Sequence, residues 1–454
     1  MRKKEVNMLS GSIMKGLFAI AMPIMIMNVL QNVFNIIDMT ILKMFDTDGG
    51  YSVGAVGASG TLISLITGLL TGVAAGANVV IARYIGKGDK DGVDKSVGTA
   101  VVFSVIGGVT LLIIGVIFAK VFLKLSNCPD QLLSSATLYF RLYFLGVPIL
   151  MIYNFIAAIL RSSGDSKRPM IFLTIGGILK VIFTFLFVGV FNMQITGVAL
   201  ATIVSWTVSA VLGARALIFD GGIVKLNFSR LKLYKKQLLE ILKIGIPTGM
   251  QQALYSVANV IITATVNSFG PDATTGISIA NQFDGILYQV AVSPSLAVMP
   301  YVSQNVGARN IKRAKSAILK GMFITVGIGA FFGALSAIFS TQLSSIMASN
   351  PKVIEYSRQK MVIISSTYFI CGINEIMGAA LKGMGRPIIP MVCTMIYMCA
   401  IRFVWVYLIF PLLPSLTFLY LIWPIGWILS ILTILIFYFP TAKKLKNKFE
   451  QVED

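Results

Sequence analysis

A series of about twelve long apolar segments runs from one end of this chain to the other. A helix needs about 20 largely apolar residues to cross a bilayer, and backbone groups in lipid must be satisfied within the spanning structure. The short alternating strands of a membrane barrel are missing from the sequence. The sequence therefore predicts an all-α membrane protein with twelve transmembrane helices, over 14–42, 52–79, 97–120, 134–160, 170–191, 195–217, 238–268, 275–305, 318–340, 354–381, 388–411 and 414–439.

Composition supports a membrane protein and argues against the soluble classes. Hydrophobic residues make up 56% of the 454 residues and charged residues only 12%, against roughly 25% charged in an ordinary soluble domain. The net charge of +20 lies in short loops between apolar runs, whereas a nucleic-acid-binding domain gathers it on one soluble face. We therefore expect a lipid bilayer and no nucleic acid as partner. The first segment is too long for a signal peptide, so we expect it to be retained.

The residues of enzyme chemistry are scarce. The chain has four cysteines without metal-ligand spacing and no histidine, which is the commonest general base. Phosphate-loop and dinucleotide-binding signatures are also missing. We expect no enzyme activity, no cofactor, no metal site and no ATP hydrolysis by this chain alone.

Basic residues are distributed very unevenly between the two sides of the predicted topology. One side carries the two termini and the loops that connect even-numbered to odd-numbered predicted helices, and it has 29 Lys and Arg. The other side has seven, and the remaining two lie within predicted helices. Positively charged loops stay in the cytoplasm, so we expect a multi-pass protein of the cell inner membrane with both termini cytoplasmic. The seven are Lys43, Lys120, Lys124, Arg141, Lys352, Arg358 and Lys360.

The two halves of the chain resemble each other. The segment LRSSGDSKRPM at 160–170 matches LKGMGRPIIPM at 381–391 with a shift of 221 residues, and the first and seventh helices align with a shift of 224. Six helices per half bring both halves in from the same side of the membrane, as in parallel transporter repeats. We predict an N-lobe over 1–217, a cytoplasmic linker over 218–237, and a C-lobe over 238–454 with a basic tail.

Polar stripes follow one face of the first and seventh helices at three- and four-residue spacing. They comprise Asn28, Gln31, Asn35 and Asp38 in the first helix, and Gln252, Ser256, Asn259 and Thr263 in the seventh. Amides often hydrogen-bond between membrane helices, so the amides alone leave a structural role open. A carboxylate costs about 2.5 kcal/mol or more at the bilayer centre, so we assign Asp38 a function.

Two cations lie deep in predicted helices. Lys180 is eleven residues past Pro169, and Arg402 is twelve residues past Pro390, so each should have an acidic partner. We predict Asp38 as the partner of Lys180, and Glu375 or Asp284 as the partner of Arg402. Purely structural ion pairs are the alternative.

Several segments, in this order and spacing, resemble the multidrug and toxic-compound extrusion (MATE) family, in its bacterial DinF/NorM-like branch. They include IARYIGKGD at 81–89, GVALAT at 197–202 and VSQNVGARNIKRA at 302–314, besides the matched pair above. The resemblance implies two six-helix lobes around a central cavity and export of amphiphilic cationic drugs, driven by a proton or sodium gradient. We also expect a monomer. The candidate substrate- and cation-binding residues are Asp38, Gln31, Asn35, Lys180, Thr184, Thr202, Gln252, Asn259, Gln282, Asp284, Glu375 and Arg402.

The sequence departs from the family where ions are handled. The family's fifth helix often carries Asn and Asp at the positions of Lys180 and Thr184. Its NorM-type members carry an acid in the tenth helix at the position of Cys371, whereas here the acid, Glu375, comes one turn later. A flippase for a lipid-linked substrate is the alternative function, and it would need a cationic cavity for phosphate. Since both deep cations have a plausible acid, the exporter is favoured.

Overall fold

The computed structural model describes residues 5–45, 51–126, 128–220 and 222–451. Helices dominate these ranges, and no strand occurs within them. Among the described residues, ten helices are long and apolar enough to cross a membrane, or eleven if a bent pair is counted as one span. The prediction of an all-α membrane protein is confirmed.

The first half consists of six long helices. They are α1 (Ile13–Met44), α2 (Tyr51–Gly86), α3 (Lys90–Leu125), α4 (Asp130–Ser162), α5 (Lys167–Thr184) and α6 (Gln194–Phe219). A π-helical turn over Phe185–Val190 extends α5. The Asp89 side chain accepts a 2.8 Å hydrogen bond from the Gly92 backbone N–H, so a carboxylate caps the start of α3.

The second half is more interrupted. Its helices are α7 (Lys235–Asn267), α8 (Pro271–Gly307), α9 (Ile311–Ile338), α10 (Ser340–Ser345), α11 (Pro351–Ser365), α12 (Tyr368–Gly383), α13 (Ile388–Thr394), α14 (Ile401–Val404), α15 (Leu416–Tyr420) and α16 (Ile422–Glu450). Two π-helical turns, Met395–Ala400 and Trp405–Ile409, flank α14.

Three predicted spans differ in the structure. The span 354–381 is not one helix, because α11 and α12 meet at a bend of 45°. The span 388–411 contains both π-helical turns of this half. The helix at 238–268 is present as α7, but it is not among the apolar candidates. Its polar stripe, with Gln252 and Asn259, lowers its mean hydropathy below that of its neighbours.

The chain forms two compact units over the residues described. Unit 1 contains Met1–Val6 and Val29–Gly249, and unit 2 contains Asn7–Asn28 and Met250–Asp454. The units change within α1 and within α7, whereas the predicted lobes change at the 218–237 linker. Close packing explains why the first part of α7 belongs to unit 1. A Cβ atom on Gly72 of α2 would lie 2.2 Å from the Gly249 backbone, so only glycine permits this approach.

Helix α3 shows how a membrane helix of this chain divides its surface. Its buried positions include small residues such as Gly108 and Gly115, which pack against Pro148 and Phe144 of α4. Several of its bulky residues point outward, and Ile117 is 62% exposed. Apolar side chains that face outward suit a lipid environment, because hydrocarbon tails solvate them as well as a protein core does.

Candidate functional site

A buried ion pair lies in unit 1. Asp38 on α1 is 3% exposed, and its Oδ2 forms a salt bridge with Nζ of Lys180 on α5. The Thr184 hydroxyl donates a 2.9 Å hydrogen bond to the other carboxylate oxygen, Oδ1. The predicted pairing of Asp38 with Lys180 is therefore confirmed.

Helical spacing assembles the rest of this cluster. Asn35 lies one turn before Asp38, and its Oδ1 accepts a 3.3 Å hydrogen bond from Lys180. Gly177, almost one turn before Lys180, allows α5 to approach α1, since a Cβ there would lie 2.0 Å from the Phe34 ring. We call Asn35, Asp38, Lys180 and Thr184 the acid–lysine cluster.

Two other candidates of this half lie outside the acid–lysine cluster. Gln31 is exposed on α1. Thr202 is buried in α6, and its hydroxyl donates to the Val198 carbonyl of its own helix at 2.9 Å. That bond occupies the donor of Thr202, so the residue has a local structural role here.

Unit 2 contains a cavity of about 410 Å³, which we call the aromatic cavity. Two tryptophans and four tyrosines contribute to its wall, together with two cations and one carboxylate. The residues that line it are Gln252, Tyr255, Asn259, Ile262, Thr263, Val266, Ile277, Asn281, Asp284, Gly285, Tyr288, Lys360, Ile364, Tyr368, Arg402, Tyr420, Trp423 and Trp427. Of the sequence candidates, Gln252, Asn259, Asp284 and Arg402 meet here.

The prediction that Arg402 pairs with Glu375 or Asp284 is wrong. Arg402 is 2% exposed, and its guanidinium donates a 2.8 Å hydrogen bond to Asn259 Oδ1. Its Cζ also lies 4.8 Å from the ring centroid of Trp423, a cation–π contact. Among the residues that the structure describes, no carboxylate lies within 4 Å of this side chain. A neutral amide and an aromatic ring therefore take the place of the expected ion pair.

The two acids proposed for Arg402 have other partners. Asp284 forms a 2.8 Å salt bridge with Lys360 of α11, which also donates to Asn281. Glu375 accepts a 3.0 Å hydrogen bond from the Tyr255 hydroxyl. Each acid thus has a partner within unit 2 other than Arg402.

Lys360 is the functional candidate that sequence reasoning missed. The topology count assigned it to the outer side with the loop charges, but it is 4% exposed and lines the aromatic cavity. A sequence signal existed, because Lys360 follows Val353 and Ser357 at helical spacing on the buried face of α11. A lysine on the buried face of a membrane helix requires an acid, and Asp284 supplies it.

The remaining candidate of the second half, Gln282, and two further polar residues, Tyr368 and Gln251, differ in position. Gln282 is exposed and does not line the aromatic cavity. Tyr368 lines it and donates to the Asp284 backbone carbonyl at 3.2 Å. The amide Gln251 donates to Thr394 at 3.0 Å between α7 and α13. This last bond fits the structural alternative, in which amides join membrane helices.

The comparisons with known proteins agree with this architecture. The MatE family model matches residues 23–186 and again residues 247–408. The second match begins 224 residues after the first, which is the shift between the first and seventh helices. The duplication inferred from the sequence therefore coincides with two copies of the family's own unit.

Curated relatives and solved structures match most of the chain. The probable multidrug resistance protein YpnP of Bacillus subtilis is 26% identical over 400 residues, which cover 88% of this chain and 89% of that protein. An FAD transporter of Shewanella oneidensis is 24% identical and covers 86% of each chain. The relatives thus carry different substrate names, so these names alone do not assign a substrate here.

A solved structure gives the same fold. It is a multidrug resistance MATE family transporter of the MOP superfamily in an outward-facing conformation, with a TM-score of 0.89 and 20% identity. The likeness covers 98% of this chain and 100% of that one. With the family model matched over both halves and the apolar helices described above, the chain belongs to the MatE family of multi-pass membrane transporters and is not an enzyme.

Proposed function

We propose that this protein is a secondary active exporter of amphiphilic organic cations, driven by a proton or sodium gradient through alternating access. The acid–lysine cluster carries the proposal. It places a carboxylate and an ammonium within membrane helices, where each charge is costly unless it is compensated. Family membership and the multidrug resistance relatives support the export of drugs.

The coupling step follows from competition for one carboxylate. While Lys180 pairs with Asp38, the charges in the cluster are balanced. Protonation of Asp38, or the arrival of an organic cation, removes the attraction that holds the lysine. The freed lysine keeps Asn35 as a hydrogen-bond acceptor, so the exchange does not leave it without a partner.

Sodium has little direct role at Asp38 in this mechanism. The lysine ammonium already occupies the position of a cation beside the carboxylate, and Thr184 occupies its second oxygen. A sodium ion needs several oxygen ligands, and an ammonium provides none. We therefore expect protons, rather than sodium, to drive exchange at Asp38.

Transport in proteoliposomes tests the proposal. Purified protein is reconstituted and drug uptake is measured under an imposed proton gradient and, separately, under an imposed sodium gradient. We expect the proton gradient to drive transport, Asp38→Asn to abolish it, and the exposed Asp130→Asn to leave it unchanged. Lys180→Asn should increase the sensitivity to sodium, because it removes the tethered cation. Wild-type transport by Asp38→Asn would remove this carboxylate from the mechanism.

The flippase remains a second candidate function because of Arg402. The preference for an exporter no longer rests on every deep cation having an acid, since Arg402 has none among the described residues. The size of the aromatic cavity still favours drug-sized compounds, because 410 Å³ lies in the range of small-molecule pockets. Translocation of a fluorescent lipid-linked sugar in the same proteoliposomes would favour the flippase.

We further propose that the protein lies in the cell inner membrane with both termini in the cytoplasm and works as a monomer. The charge asymmetry of the loops supports this orientation. Both charged clusters lie within a single chain, and each within one of its units. A second copy of the chain is not needed to complete either of them.

A further inference from the structure

We propose that the aromatic cavity of unit 2 binds an oxyanion, such as a carboxylate, on a planar aromatic body, with Arg402 as its anchoring cation. The inference rests on the proposed function, because it names a chemical feature of the exported compound. An exported organic cation would then also carry an anionic group on its aromatic body.

The internal repeat shows that Arg402 is the counterpart of Lys180. Lys180 follows Pro169 by eleven residues, and Arg402 follows the matching Pro390 by twelve. The π-helical turn Met395–Ala400 accounts for the extra residue, because a π turn accommodates one more residue than an α turn. Between Pro169 and Lys180, α5 is α-helical throughout.

The hydrogen bonds of the two cations match as well. Lys180 donates to Asn35 at 3.3 Å, and Arg402 donates to Asn259 at 2.8 Å. Asn35 and Asn259 coincide at the shift of 224 residues. Each unit therefore contains a deep cation, Lys180 on α5 or Arg402 on α14, and an asparagine acceptor for it, Asn35 on α1 or Asn259 on α7.

The carboxylate of the acid–lysine cluster, Asp38, has no counterpart at the matching position of unit 2. At the same shift Asp38 coincides with Ile262, and Ile262 lines the aromatic cavity. Unit 1 thus holds its own counter-ion, while unit 2 has a cavity bordered by an apolar side chain at that position. Through the cavity, an anion from outside the protein can reach Arg402, which has no carboxylate partner among the described residues.

The charges around the cavity leave an excess of one cation. Lys360 and Arg402 line it with the single carboxylate Asp284, and that carboxylate is already bound by Lys360. Glu375 is not among the lining residues and accepts a bond from Tyr255. The five N–H donors of a guanidinium suit an oxyanion, and Asn259 takes one of them.

A second buried donor also lines the cavity. The Tyr420 hydroxyl is fully buried and has no hydrogen-bond partner among the described residues. Buried polar groups without a partner are rare in folded proteins, and a bound ligand is one explanation for them. An oxyanion could accept from both Tyr420 and Arg402, while the rings of Trp423 and Trp427 stack on its aromatic body.

A matched pair of fluorescent probes tests this inference without any gradient. Full-length protein in a neutral maltoside detergent is titrated with 1-pyrenebutyrate and, separately, with its uncharged methyl ester. Energy transfer from tryptophan reports binding, since two of the four tryptophans line the cavity. We expect the carboxylate to bind about tenfold more tightly than the ester, as for a charge-assisted hydrogen bond.

Three variants identify the source of that preference. Arg402→Gln and Ile262→Asp should each abolish the tenfold preference, the first by removing the cation and the second by supplying an internal carboxylate. Arg141→Gln, which changes a surface arginine of unit 1, should keep it. Ester binding that stays at the wild-type level shows that the variant cavities are folded.

Equal affinity for both probes in the wild type would overturn the inference, as would a preference that persists in both cavity variants. If Arg141→Gln also lost the preference for the carboxylate probe, that preference would come from the overall charge of the protein, and the inference would be overturned as well. The proposed function fails by a different result, namely proteoliposome transport that does not depend on Asp38. The two failures are therefore distinguishable.

Discussion

Removing one partner of the Asp38–Lys180 pair should destabilise the protein more than removing both. Asp38→Asn keeps the shape of the side chain but leaves a lysine that is 13% exposed without its counter-ion. Lys180→Met keeps the length of the side chain but leaves a carboxylate that is 5% exposed. In the double variant neither charge remains, so no buried charge is left without compensation.

The magnitude follows from the burial of the pair. Breaking a buried ion pair by removing one partner costs about 3–5 kcal/mol, whereas replacing both partners by neutral residues is often close to neutral. Asn retains an acceptor for the Thr184 hydroxyl, so we expect about 3 kcal/mol for each single change. The double variant should lose about 1 kcal/mol, which gives a coupling free energy of about 5 kcal/mol.

The measurement is a double-mutant cycle on the free energy of unfolding in mixed micelles. A matched control is the exposed pair Glu355–Arg358, whose side chains are 47% and 44% exposed and whose oxygen and nitrogen lie 2.7 Å apart. That pair should show a coupling of less than about 1 kcal/mol. If the losses at Asp38 and Lys180 simply add, the pair is not energetically coupled and the reasoning is refuted.

Three further predictions concern topology, packing and pH. In a background without native cysteines, a cysteine at Lys352 should be labelled from outside intact cells and one at Lys90 should not; the reverse pattern would invert the orientation. Gly72→Ala should lower the unfolding temperature because its Cβ would lie 2.2 Å from the α7 backbone, whereas Gly57→Ala, which meets nothing within 4 Å, should not; equal effects would contradict the close packing. Burial raises the pKa of Glu5 above 4.5, because the charged carboxylate is costly to bury. Glu5 therefore contributes to the free energy of unfolding below pH 4.5, and this contribution is lost as pH rises through the raised pKa. Glu5→Gln should remove this pH dependence of the unfolding temperature, and an unchanged profile would exclude Glu5 as its source.

The fold class could be predicted from the sequence because its signals are local. Apolar segment length and loop charge are properties of neighbouring residues, and the repeat of 160–170 at 381–391 can be recognised by comparing short segments of the sequence. The Asp38–Lys180 pair was also predictable. Both residues are charged and both lie within apolar helices, where each charge needs a partner of opposite sign.

Only the tertiary structure decided the partners in unit 2. Glu375 and Asp284 were plausible by depth, but a side chain reaches a partner only if both helices also turn the right face toward each other. The turn Met395–Ala400 and the bend between α11 and α12 alter those faces, and neither is encoded in hydropathy. Lys360 therefore forms the ion pair with Asp284. Arg402 instead contacts the amide of Asn259 and the ring of Trp423 beside the aromatic cavity.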